Sequence, residues 1–180
     1  MKSIFFLQIR LICEIITIGC VIAHGEIEKA NSKRLQKRWS AADIIVELEK
    51  ITPDFYPSPF IQLRTTHILD GKPVEGWHFE ERKPDFLTKE ELLALYGRCG
   101  DRLHRGSVKS IVANKPYKTS ELSDLVDIIQ KLVNLVCIHR IQILNGDAQL
   151  LCIMYPDNSD EVSVMVGYAE DGKISEQDLK

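Results

Sequence analysis

The sequence predicts an α+β protein, mainly helical: a helical bundle with a small β insertion and a C-terminal three-stranded antiparallel meander. Three patterns carry this prediction. Apolar residues recur at helical spacing near the N-terminus, over about 88–104 and over about 120–139. Asp70-Gly71 and Asn145-Gly146 each sit between apolar runs, the signature of two-residue hairpin turns. A length of 180 residues with 44% hydrophobic content suits one domain with a real core. Residues 1–139 are expected to form the bundle, with the β insertion at about 60–80. Residues 140–170 form the meander packed on it, and 171–180 a frayed tail.

The first helix is expected over about 3–24. Met1-Lys2 followed by an apolar run to Ala23 resembles a signal peptide or a membrane span. Arg10 and Glu14 interrupt that run. They are four apart, so they share a helix face and can pair, and a charged pair in mid-span is costly in lipid. The spacing therefore favours a core helix with a polar seam, extended by Thr17 and His24. On this reading the protein is cytoplasmic and has no membrane partner; a signal or membrane segment is the alternative.

Ser40 with Asp43 reads as a helix start, and Ile44, Ile45, Leu48 and Ile51 follow at helical spacing until Pro53. Residues 61–69 are rich in branched side chains and read as a strand; Val74, Trp77 and Phe79 lie on its return. Thr88 with Glu91 is a capping box for a helix ending near His104. Leu122, Leu125, Val126, Ile129, Leu132, Val133 and Val136 form the stripe of the last helix. Arg140–Leu144, Gln149–Tyr155 and Glu161–Ala169 read as the three strands of the meander.

The net charge of −3 does not point to a wholesale nucleic-acid binder, yet the charge is unevenly spread. Residues 98–118 and residues 29–38 each carry a net +5, and the second stretch holds no acid. The two are either solvated faces or one anion-binding surface. The five cysteines form no CxxC pair and fall in apolar segments. That usage favours free thiols in a reducing compartment over a disulfide framework or a zinc site. His67 and His78 have no cysteine or acid at ligand spacing, so no metal is expected there. Phosphate-loop, nucleophile-elbow and EF-hand patterns are lacking, and no cofactor is implied.

Chemistry concentrates in residues 95–106, where Arg98, Asp101 and His104 fall within seven residues. Asp101 and His104 are three apart, while Arg98 and Arg102 are four apart on one face. Arg98 and His104 are six apart, about 240° around an ideal helix. They can meet on one ligand only if the helix breaks or two subunits combine.

The form Tyr96-x-Arg98-x5-His104-x-Gly106 resembles the motif of the HEPN superfamily, and Cys99-Gly100-Asp101-x-Leu103-His104 resembles a segment shared by a group of bacterial proteins. HEPN proteins are small helical bundles, usually dimers. Many are metal-independent ribonucleases of toxin–antitoxin or phage-defence systems. The resemblance implies a HEPN-like bundle, an endoribonuclease activity on RNA, a homodimer, and a cognate antitoxin or defence partner. In that chemistry the 2′-hydroxyl of RNA attacks the adjacent phosphate. His104 moves the proton, Arg98 stabilises the developing charge, and Asp101 sets the imidazole tautomer. Arg102, Arg105 and Lys109 hold flanking phosphates. Arg10, Glu14 and Tyr96 form a supporting set behind them. Where family members carry a polar residue after the arginine, this chain has Cys99. Two other readings stay open: a non-catalytic module that binds RNA, a nucleotide or a partner, and a structural or regulatory dimer without a ligand.

Overall fold

The computed structural model describes residues 2–24, 33–69, 71–83, 85–103, 121–143, 148–154, 161–170 and 173–174. The chain runs α1 (Lys2–Ala23), α2 (Lys33–Gln36), α3 (Ala41–Ile51), β1 (Ser58–Leu69), β2 (Lys72–Glu81), α4 (Lys89–Leu103), α5 (Glu121–Val136), β3 (Ile138–Gln142), β4 (Ala148–Ile153), β5 (Ser163–Glu170) and β6 (Lys173–Ile174). The helices α1, α3, α4 and α5 and the strands β1–β5 lie within a few residues of their expected places, whereas β6 falls in the segment expected to be a frayed tail.

The expected starts of α3 and α4 hold in atomic detail. Ser40 Oγ accepts from the Asp43 backbone N–H at 3.1 Å. Thr88 and Glu91 make the reciprocal pair: Thr88 N–H donates to Glu91 Oε2 at 3.0 Å, and Glu91 N–H to Thr88 Oγ1 at 3.2 Å. Lys131 of α5 also donates to Glu91 Oε1, so the cap ties α4 to α5.

The architecture differs from the expected helical bundle. About half of the described residues are helical and about 30% are strand, and the strands build one curled antiparallel sheet. Its order is β2-β1-β3-β4-β5-β6, the last strand being only two residues long. The hairpin β1–β2 is therefore not an insertion in a bundle, and the meander is not a separate appendix. They join where Ser58 pairs with Arg140 and Pro59 with His139. Pro59 has no N–H to donate; its carbonyl accepts from Arg82 N–H at 3.2 Å. Arg140 of β3 reaches Glu81 of β2 at 2.9 Å across the junction. Beyond Phe60, β1 pairs with β2 alone. The hairpin closes at Gly71 with φ +74°, a backbone angle that favours glycine.

The helices form the second layer. Phe6, Ile9, Cys13 and Cys20 on one face of α1 pack with Ile45 and Leu48 of α3 and with Leu92, Leu95 and Cys99 of α4. Leu125, Leu132 and Leu135 of α5 complete that core. Leu87 N–H bonds to Lys131 O, and Asn134 donates to Asp85 O, fixing the segment before α4 along α5. His24 fixes the other side. Its Nε2 lies 3.0 Å from Gln142 O on β3.

Candidate functional site

The residues expected to support the site meet in space. Arg10 Nε donates to Glu14 Oε1 at 3.3 Å, and Arg10 Nη2 donates to the Tyr96 hydroxyl at 2.6 Å. That hydroxyl donates in turn to Glu14 Oε1 at 3.2 Å. The guanidinium carbon also stands 4.2 Å from the Tyr96 ring centroid. Gly100 makes room for it: a methyl group there would sit 2.7 Å from Arg10 Nη1. Burial pushes the Tyr96 phenol up, with Arg10 opposing that shift and Glu14 adding to it. A protonated phenol is the form that donates to Glu14.

Of the expected catalytic residues, Arg98 and Asp101 lie elsewhere on α4. Tyr96 and Gly100 are four apart and share the flank facing Arg10. Arg98 is two residues from Tyr96, about 200° around the helix. Arg98 and Asp101 are exposed and Arg102 is half-buried. Arg10, Glu14 and Tyr96 therefore stand on a different flank from Arg98 and Arg102, one turn apart. The Cys99 thiol is buried between the flanks. Burial pushes its pKa up, while Arg98 and Arg10 pull it down. The helix is continuous from Lys89 to Leu103, so no break precedes position 104. His104, Arg105 and Lys109 lie outside the described residues.

The polar seam of α1 is otherwise internal. Thr17 Oγ1 donates to Cys13 O at 2.8 Å, and His24 Nδ1 lies 2.7 Å from Cys20 O. Burial pushes the Cys13 and Cys20 thiols up to about 12, which leaves them neutral and unreactive near pH 7. All five cysteines are free. Among the described residues no group of three His, Cys, Asp or Glu is arranged to hold a metal ion.

The feature that sequence reasoning missed is the far side of α1. The core-helix expectation holds for one face only. Ile4, Leu7, Leu11, Ile15, Ile18 and Ile22 point away from the core and are exposed, Ile15 by 65% and Ile22 by 72%. Phe5 and Ile12 widen the strip. At ~100° per residue these side chains cover an arc of roughly 160°. Gln8 is the one polar residue within it, and no charge interrupts it. The signal was visible in the sequence: despite Arg10 and Glu14, the stretch Ile4–Ala23 is long and apolar enough to cross a membrane. Lys33, Lys37, Arg38 and Trp39 follow it in the chain and are exposed, Trp39 by 94%.

Comparison of the chain with protein-family models, with curated proteins and with solved structures gives no match.

Proposed function

We propose that this protein is a non-catalytic interaction module whose working surface is the exposed face of α1. One observation carries the reading: eight large apolar side chains of a single helix are left in solvent while its other face builds the core. Contiguous apolar surface of this kind marks an interaction site rather than ordinary surface. The polar cluster at Arg10, Glu14 and Tyr96 supports the same reading from the other side. Its donors and acceptors are turned on one another, which suits a joint between α1 and α4.

The ribonuclease reading asks Arg98 and His104 to act on one phosphate. Arg98 is held in unbroken helix through Leu103, so a single copy does not favour that meeting. Two measurements test the proposal. Ile15→Gln with Ile22→Gln is expected to weaken whatever association this face makes, with a lipid surface or with a second copy, by about tenfold or more, while the melting temperature stays within a few degrees of wild type. Neither wild type nor His104→Ala is expected to cut single-stranded RNA in EDTA. Cleavage by wild type that His104→Ala abolishes would replace the proposal with the nuclease.

A further inference from the structure

We infer that the α1 face seats on a lipid surface bearing anionic headgroups; the inference rests on reading α1 as the working surface. Three observations select lipid over other occupants. The first is breadth. A coiled-coil seam is a narrow stripe flanked by charged positions, whereas the α1 arc is roughly 160° wide and uncharged throughout. Hydrocarbon tolerates that breadth, and a lone Gln8 is the limit of polarity within it.

The second observation is charge. The chain as a whole is net negative, yet the segment that follows the apolar helix, residues 24–39, carries a net +3: five cations between 29 and 38 against Glu26 and Glu28. Of these cations, Lys33 and Lys37 are exposed, while Arg38 is exposed but paired with Glu47 at 3.1 Å. A basic stretch next in sequence to an apolar helix complements an anionic leaflet. The third is Trp39, exposed by 94% next to those cations. An indole prefers the headgroup region, where its ring is in apolar surroundings and its N–H is wet.

The helix lies on the bilayer and does not cross it. Its opposite face is committed: Phe6, Ile9, Cys13 and Cys20 are in the core, and Arg10 is bonded to Tyr96 of α4. Crossing would strip away those partners. Seating parallel to the surface keeps them and removes the exposed isoleucines from water.

The test is sedimentation of the full chain with vesicles of phosphatidylcholine alone or mixed with phosphatidylglycerol. Wild type is expected to pellet with the mixed vesicles, less so at high salt, and to be released by an alkaline carbonate wash. Lys33→Gln with Lys37→Gln is expected to lower partition into mixed vesicles by about 25-fold, about fivefold per lysine, and to leave phosphatidylcholine binding unchanged. Ile15→Gln with Ile22→Gln is expected to weaken binding to both by about tenfold or more. Both pairs lie at exposed positions, and melting curves check that they fold. Retention through the carbonate wash would show a span and overturn the inference. Absent vesicle binding, together with a dimer that the isoleucine variant dissolves, would make a second copy the occupant; the interaction reading would survive and the lipid inference would fall. Neither vesicle binding nor self-association would overturn both.

Discussion

Arg10 donates to the Tyr96 hydroxyl at 2.6 Å, joining two helices across 86 positions of sequence. The contact has little freedom. Glu14 holds the same guanidinium at Nε, and bare Gly100 lies against Nη1. Tyr96→Phe keeps the ring under the cation and deletes the hydroxyl. A hydrogen bond to a charged group contributes about 1.5–3 kcal/mol, so a loss toward the lower end of that range is expected in this part-buried setting. Gly100→Ala pushes against the same guanidinium, but it meets only the mobile end of the Arg10 side chain and alanine favours the helix by about 1 kcal/mol, so its net cost should be smaller than that of Tyr96→Phe. Because both changes break one contact, their double variant should lose clearly less than the sum in urea unfolding. Additive losses would show that Gly100 and Tyr96 act separately.

The α4 cap makes stability depend on acid. Its Glu91 carboxylate is held below the usual carboxylate range, first by Lys131 and then by the Thr88 N–H. A carboxyl with a depressed folded pKa adds stability above its unfolded pKa. That stability is lost as pH falls through the folded value. Glu91→Gln is therefore expected to be less stable than wild type at pH 7 and to converge with it in acid. The carboxylate is 41% exposed, so solvent screening keeps the ion-pair share under about 1 kcal/mol. Denaturant midpoints from pH 7 to 3 read the convergence; a gap that widens in acid would contradict the assignment.

Local structure was legible because local chemistry determines it. Ser40 and Thr88 announce helix starts through side-chain oxygens three residues from the N–H they bond. Asp70-Gly71 announces a turn that needs positive φ, and Gly71 has it. The joining of the two hairpins into one sheet was not legible. It rests on Ser58 with Arg140 and Pro59 with His139, pairs about 80 positions apart, and no periodicity records which strand edges meet. The candidate site was legible in part for the same reason. Spacing brought Arg10 and Glu14 together, but only the packing of α1 on α4 adds Tyr96 and puts Arg98 on another flank.

The hairpin turn offers a clean backbone test. Nothing lies within 4 Å of a methyl group placed on Gly71, so its φ of +74° is the sole obstacle to a side chain there. Gly71→Ala is expected to cost about 1 kcal/mol from the left-handed conformation. Gly71→Asn should recover part of that loss, since asparagine tolerates this region better. Thermal melts of the three proteins give the order directly, and an alanine variant as stable as wild type would remove the strain argument.

His24 is the clamp between the apolar helix and the sheet, and it is 1% exposed. Its two ring nitrogens lie 2.7 Å from Cys20 O and 3.0 Å from Gln142 O. Carbonyl oxygens only accept and a neutral imidazole carries one N–H, so in that form the ring donates to one of the two carbonyls and packs against the other. His24→Leu retains apolar bulk and deletes both contacts, leaving the buried Cys20 carbonyl and the half-buried Gln142 carbonyl without this partner. An unsatisfied buried group costs about 1–3 kcal/mol, and destabilisation of that order is expected. Its location distinguishes a clamp from a general core defect. Hydrogen exchange should speed up at the end of α1 and along β3, while Leu92–Cys99 of α4 keeps its protection relative to the global limit. The same variant loosens the sheet from α1 without touching Ile15 or Ile22, so its surface binding should persist. Uniform loss of protection, or loss of binding with the fold intact, would show that His24 does more than fasten the helix to β3.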